Sequence, residues 1–263
     1  MKKSLIKIAG IAMIGMLLLN YGCKKEETAS GPALPPIESF AVNIDDFVSQ
    51  TKVIDPSYNY NLAVSALTYW NGVLIANLGV PIAVYATALQ QTPVQFDEDT
   101  WIWSFNKEVL SITYTAELEA TVTSDSVFVE MYISQQDGFQ DFLWYEGKFD
   151  KERTGGEWTI YYSPEFPDDV WLGIEWEIDW DAETFSTKYT VIQESNDYYG
   201  SYIEFGLTDD ATYNAYYDLY DSFEEVLYTI DYNTTTTAGR ICNNSLGCLY
   251  WDASHNNYIP PVK

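Results

Sequence analysis

The stretch Leu110-Ser111-Ile112-Thr113-Tyr114-Thr115-Ala116-Glu117-Leu118-Glu119-Ala120-Thr121-Val122-Thr123 decides the fold. Apolar residues stand at 110, 112, 114, 116, 118, 120 and 122, with a polar residue in every gap. A period of two sends alternate side chains to opposite faces, so the segment reads as a β-strand with one wet face. Ser124-Asp125-Ser126 then turns the chain into a second strand over 127–133. The texture recurs. Trp101, Trp103 and Phe105 share one face, as do Trp158, Ile160 and Tyr162. Leu172, Ile174, Trp176, Ile178 and Trp180 alternate with Gly173, Glu175, Glu177 and Asp179. Further strands are expected at 141–149, 184–192, 201–207 and 226–232, with turn signals at 136–138, 154–156, 181–183 and 196–200. Asp209-Asp210 predicts the cap of a short helix reaching Tyr220, with Tyr213, Tyr216, Tyr217 and Tyr220 upon it.

Upstream the texture changes. No residue between Asp55 and Asp97 is charged. A helix is expected from Tyr58 to Asn77, with Leu62, Ala66, Tyr69, Val73 and Ala76 on one stripe and Leu67, Trp70 and Leu74 widening it. Asn77-Leu78-Gly79 reads as a break, Pro81 as the first turn of a second helix to about Gln90, and Pro93 as its end. A helix apolar on most sides is buried or in a membrane. The scattered Asn59, Asn61, Asn71 and Asn77 favour a buried hairpin over about 58–91.

No helices alternate with the strands, so the sheet is expected to be antiparallel. The expectation is a mainly β (α+β) domain. About nine or ten strands form a meander curled as an open or closed barrel, with the helical hairpin on its concave face.

The N-terminus reads as an address. Lys2, Lys3 and Lys7 precede an apolar run from Ile8 to Leu19, and Gly22 stands before Cys23. That is the layout of a bacterial secretory signal. The segment resembles a lipoprotein signal, which implies acylation of Cys23 and anchoring of the chain to a membrane. Taken alone it also fits an ordinary secretory signal or an N-terminal anchor helix. Lys25-Glu26-Glu27 resembles the tag that sends lipoproteins of Bacteroidota to the cell surface. It implies an outer-membrane, surface-exposed location. Residues 28–36, rich in Pro, Gly and small side chains, read as a linker. The expected organisation is a signal at 1–22, an acylated tether at 23–37 and one β-rich domain at 38–263.

Composition narrows the partners. The formal net charge is −26, which excludes nucleic acid and an anionic membrane face as electrostatic partners. A 47% hydrophobic and 16% aromatic chain has ample material for a core. Cys242 and Cys248, close together in a polar stretch of an exported chain, read as a local disulfide.

Candidate chemistry is sparse. Glu175 and Glu177 fall on one strand face ~6.6 Å apart, a spacing that serves glycoside hydrolysis; the alternative is the solvent face of an amphipathic strand. Asp179, Asp181 and Glu183 form an oxygen-rich turn of the kind that holds Ca²⁺, or a solvated turn. Asp97, Glu98 and Asp99 form another. No other cofactor is expected. Neither a G-x-S-x-G elbow, an H-E-x-x-H pair nor a phosphate-binding glycine loop occurs, and His255 is the lone histidine.

The aromatic excess is the other handle: nine Trp, 22 Tyr and 12 Phe. Such rings stack on sugars, line apolar pockets or fill a wide core. Tyr161, Trp176, Tyr198 and Tyr199 are the candidates for contacting a ligand. In the pairs Tyr161-Tyr162, Tyr198-Tyr199 and Tyr216-Tyr217, adjacent strand residues point to opposite faces, so some tyrosines must face outward.

The stretches Asp141-Phe142-Leu143-Trp144-Tyr145, Gly173-Ile174-Glu175-Trp176 and Gly206-Leu207-Thr208-Asp209-Asp210 resemble acidic, aromatic-rich lipoproteins of Bacteroidota. That group implies no assigned activity. The readings left are a non-enzymatic envelope lipoprotein that binds an apolar or amphipathic ligand or serves a structural role, a glycan-binding surface lipoprotein, and a glycosidase-like hydrolase. A cavity between helices and sheet would favour the first.

Overall fold

The computed structural model describes residues 31–41, 47, 58–245 and 247–260. Cys23 and the leader lie outside the described residues. A 3₁₀ turn at Ile37–Ser39 precedes the long helix α1 at Tyr58–Ala88. The strands follow in order. They are β1 (Val94–Gln95), β2 (Thr100–Val109), β3 (Ile112–Val122), β4 (Ser126–Gln135), β5 (Phe142–Asp150), β6 (Gly155–Ser163) and β7 (Phe166–Asp179). Then come β8 (Thr184–Val191), β9 (Tyr202–Leu207), β10 (Ala215–Asp221), β11 (Val226–Tyr232), β12 (Gly239–Asn243), β13 (Gly247–Trp251) and β14 (Asn257–Tyr258).

All 14 form one antiparallel meander in which each strand pairs only with its sequence neighbours. β1 and β14 do not pair, so the sheet is open rather than a closed barrel. Both edges are two-residue strands, which limits the backbone left free to recruit another chain.

α1 packs on β2 near one end of the sheet and on β12, β13 and β14 at the other. A flat sheet of this width would place those strands far apart. The sheet therefore bends so that both ends reach the helix. Its inner face carries one rung of paired residues: Val129, Gly147, Trp158, Ile174, Tyr189, Ile203 and Leu219. Trp158 lies where a Cβ on Gly147 would stand, 2.3 Å from its Cε3, so the small residue makes room for the large ring. Phe40, Tyr85 and Tyr145 surround Trp158 at centroid distances of 5.2, 5.2 and 5.9 Å. The Tyr85 hydroxyl donates to the Pro35 carbonyl at 2.8 Å, and Leu34 and Pro35 are buried. Packing thus reaches into the stretch read as tether.

Five expectations are corrected. The helical hairpin is one continuous helix with Pro81 inside it. Proline removes one backbone hydrogen bond and costs about 3 kcal/mol in a helix interior. Burial on both sides overrides that cost. Tyr60, Ala63, Leu67, Leu74, Leu78, Pro81, Tyr85 and Ala88 form one buried stripe that keeps phase through the proline.

The helix expected to end at Tyr220 is strand β10. Asp210 Oδ1 accepts the N–H groups of Thr212 and Tyr213, both at 2.7 Å. That is a side-chain turn rather than a helix cap. Beyond it Ala215, Tyr217 and Leu219 point inward. Leu110 is not in a strand: with Ser111 it makes a two-residue hairpin turn at φ 50° and 66°, and its side chain is 94% exposed. Such a turn prefers Asn-Gly, since non-glycine residues are strained at positive φ. Tyr162 leaves the face of Trp158 and Ile160 because the register shifts on both sides of Tyr161. The strand count also rises from about nine or ten, because β1 and β12–β14 are short.

Candidate functional site

Leu62, Ala66 and Trp70 recur at helical spacing on α1 and, with Val73, make one wall of a cleft. That stripe was expected in the core. The fully buried stripe is its neighbour, Ala63–Leu67–Leu74, while Leu62, Ala66 and Trp70 are half-buried against the core and border the gap to the sheet. Trp171 of β7, Val191 of β8, Leu219 of β10 and Ile241 of β12 are buried and form the floor. Tyr69, Tyr198, Tyr228, Asn196, Ser65 and Asp221 complete the lining. The cleft holds about 560 Å³ and is predominantly apolar. That size suits a small apolar ligand.

Loops and turns position the polar lining groups. Asn196 sits in the β8–β9 loop, where its Oδ1 accepts the Tyr198 N–H at 3.0 Å. Asp221 ends β10, and its Oδ1 accepts the N–H groups of Phe223 and Glu224 at 2.9 and 3.1 Å. The rings of Tyr198 and Phe223 lie 6.0 Å apart.

The helix wall is pinned at its N-terminal end. Asn59 Nδ2 donates to the Tyr250 carbonyl at 2.7 Å, and the Asn59 N–H donates to Asn257 Oδ1 at 3.2 Å. Tyr60 stacks on His255 at 3.8 Å with 5° between the planes. His255 Nε2 shares a 2.8 Å hydrogen bond with Thr237 Oγ1, while its Nδ1 is buried and has no partner among the described residues. Burial pushes the imidazole pKa down, and nearby Asp252 only partly opposes it.

A lowered folded-state pKa means the unfolded chain binds the proton more readily. The neutral ring's contribution is therefore fully present above the unfolded value of about 6.5 and is lost as pH falls through it. The expected result is that parent and His255→Gln differ most in urea stability near neutral pH and converge as pH falls from about 7.5 to about 5.5. A constant difference across that window would overturn the assignment.

The other candidate residues fall elsewhere. Glu175 and Glu177 are exposed on the outer face of β7. Glu175 stands opposite Glu157 and Lys188, and Glu177 opposite Gly155 and Ser186. Both line a shallow outer trough with Lys148 and Glu204, remote from the helix. Asp179 Oδ1 accepts the N–H groups of Asp181 and Ala182, both at 2.9 Å, and Glu183 closes that turn at φ 55°. Among the described residues no three His, Cys, Asp or Glu side chains are grouped to hold a metal.

Trp176 is buried in the core. Tyr161 is half-buried, donates to Glu146 Oε1 at 3.2 Å, and has its pKa raised by burial and by Glu146. Tyr199 is exposed beside Tyr198, and of these aromatic candidates Tyr198 alone lines the cleft. Cys242 and Cys248 face each other across the β12–β13 hairpin and are disulfide-bonded.

Sequence reading missed Trp70, Trp171 and Tyr228 as a set. Each sits at an ordinary apolar position of its own element, and only the curl of the sheet brings them together. The chain matches no protein-family model, no curated protein and no solved structure.

Proposed function

We propose that this protein is a non-enzymatic envelope lipoprotein, anchored through Cys23 at the outer membrane or cell surface, that binds an apolar or amphipathic ligand. The cleft between α1 and the sheet carries this reading. Its floor is buried and aliphatic or indole, its walls mix aliphatic and aromatic side chains, and of its polar groups Asn196 sits in a loop and Asp221 at a strand end. A scaffold that holds such a surface without a bound molecule leaves apolar area in contact with water, at ~25 cal/mol per Å². A ligand that covers it recovers that free energy. The exposed position of Glu175 and Glu177, away from any enclosed cleft, favours binding over glycoside hydrolysis.

The test is native mass spectrometry of residues 29–263 produced in a periplasm, followed by titration with dodecanol. A co-purifying amphiphile, or saturable one-to-one uptake of dodecanol, is the expected result. A bare protein that takes up no dodecanol overturns the reading and directs attention to glycans and the exposed Tyr198 and Tyr199.

A further inference from the structure

We infer that the cleft takes a cationic amphiphile, an apolar chain carrying an ammonium head, in preference to a fatty acid or another anionic lipid. This rests on the ligand-binding reading above and adds the charge of the ligand.

Three observations converge on it. First, among the described residues no Lys, Arg or His lines the cleft, so nothing there would pair with a carboxylate or phosphate head. Second, Asp221 is the one charged side chain among the described lining residues, and the Phe223 and Glu224 N–H groups fix its orientation. A head group placed beside it needs no rearrangement of the carboxylate. The two loops flanking the cleft add Glu194, Asp197, Glu224 and Glu225 and no basic residue. Third, Tyr69, Trp70 and Tyr198 line the same cleft as that carboxylate. Aromatic faces attract ammonium groups, most strongly where water is displaced. An anionic head in this position meets the Asp221 carboxylate and ring faces and, among the described lining residues, finds neutral donors such as Ser65 and Asn196 but no cation. The chemistry suits a primary amine and a quaternary ammonium alike, and the experiment separates them.

The experiment titrates the folded, disulfide-bonded domain with dodecylamine, dodecyltrimethylammonium, dodecanol and laurate, each below its micelle concentration and at physiological salt. Calorimetry reads each affinity. Both cations are expected to bind about tenfold or more tightly than laurate, the ratio produced by one partly screened ion contact. Dodecanol falls between them. A preference for dodecyltrimethylammonium over dodecylamine points to the rings as the main head-group contact, and the reverse to hydrogen bonding with Asp221.

Asp221→Asn is expected to shrink the cation-to-laurate ratio by a similar factor. If that variant is unfolded by circular dichroism, Glu224→Gln with Glu225→Gln serves as the second variant and is expected to shrink the ratio by a smaller factor. Tetramethylammonium, which lacks the chain, is the control for adsorption to the acidic surface and is expected to bind at least tenfold more weakly than its dodecyl analogue. Laurate binding as tightly as the cations, with dodecanol also bound, overturns the charge inference alone. Failure of all four amphiphiles overturns the ligand-binding reading itself.

Discussion

Trp158→Ala is expected to destabilise the domain by about 3–5 kcal/mol, the usual range for removing a fully buried large aromatic. Trp158 is 1% exposed and stands at the centre of the inner face. Its ring fills the space over Gly147 and touches Phe40 from the N-terminal turn, Tyr85 from the helix and Tyr145 from β5. No other described side chain can flow into the void, because Gly147 has none and the remaining neighbours are already packed. A loss of that size is a large share of the stability of an ordinary domain, about 5–15 kcal/mol. The indole Nε1 is buried without a hydrogen-bond partner among the described residues. Trp158→Phe, which discards that unsatisfied N–H, is therefore expected to cost much less than Trp158→Ala. Urea unfolding followed by far-ultraviolet circular dichroism checks both. Equal losses in the two variants would show that the N–H is satisfied and that ring size is not what matters here.

Ala66→Trp is expected to fold like the parent and to lose apolar ligand. Ala66 is half-exposed on the helix face that lines the cleft, so a larger side chain enters the gap rather than the core. Trp is a weaker helix former than Ala, a cost of about half a kcal/mol at most. Filling the gap excludes part of the bound chain, at ~0.8 kcal/mol for each CH₂ denied burial. Three such groups amount to ~2.4 kcal/mol, about sixtyfold in affinity. Calorimetric titration with dodecanol reads the effect, and thermal unfolding shows that the fold is retained. A folded variant with parental affinity would falsify the placement of the ligand in this cleft.

Much of the sheet is legible in the sequence because strand periodicity is local. The alternation through Ile112–Val122 survives as β3, with Tyr114, Ala116, Leu118 and Ala120 buried and Thr113, Thr115, Glu117 and Glu119 on the other face. Cys242 and Cys248 are close enough in sequence that one hairpin brings them together. Misreadings arise where two periods fit the same residues. Tyr213, Tyr216, Tyr217 and Tyr220 match a helix, yet Tyr216 and Tyr217 point to opposite faces of β10. Tyr216 lies over Gly206 on the outer face and donates to Glu204 Oε1 at 2.8 Å. A glycine on the neighbouring strand, ten residues away, decides that the ring has somewhere to lie.

The helix shows the division most clearly. Its existence and its freedom from charge were written in residues 58–88, because propensity and composition act within a turn or two of chain. Its continuity through Pro81 was not, nor was the stripe that faces the core. Those depended on the sheet, whose strands β2 and β12–β14 meet the helix from opposite ends of the meander. Burial energy gathered from residues far apart in sequence exceeds the local cost of one proline. The same long-range packing opens a cleft where a periodicity argument places only core.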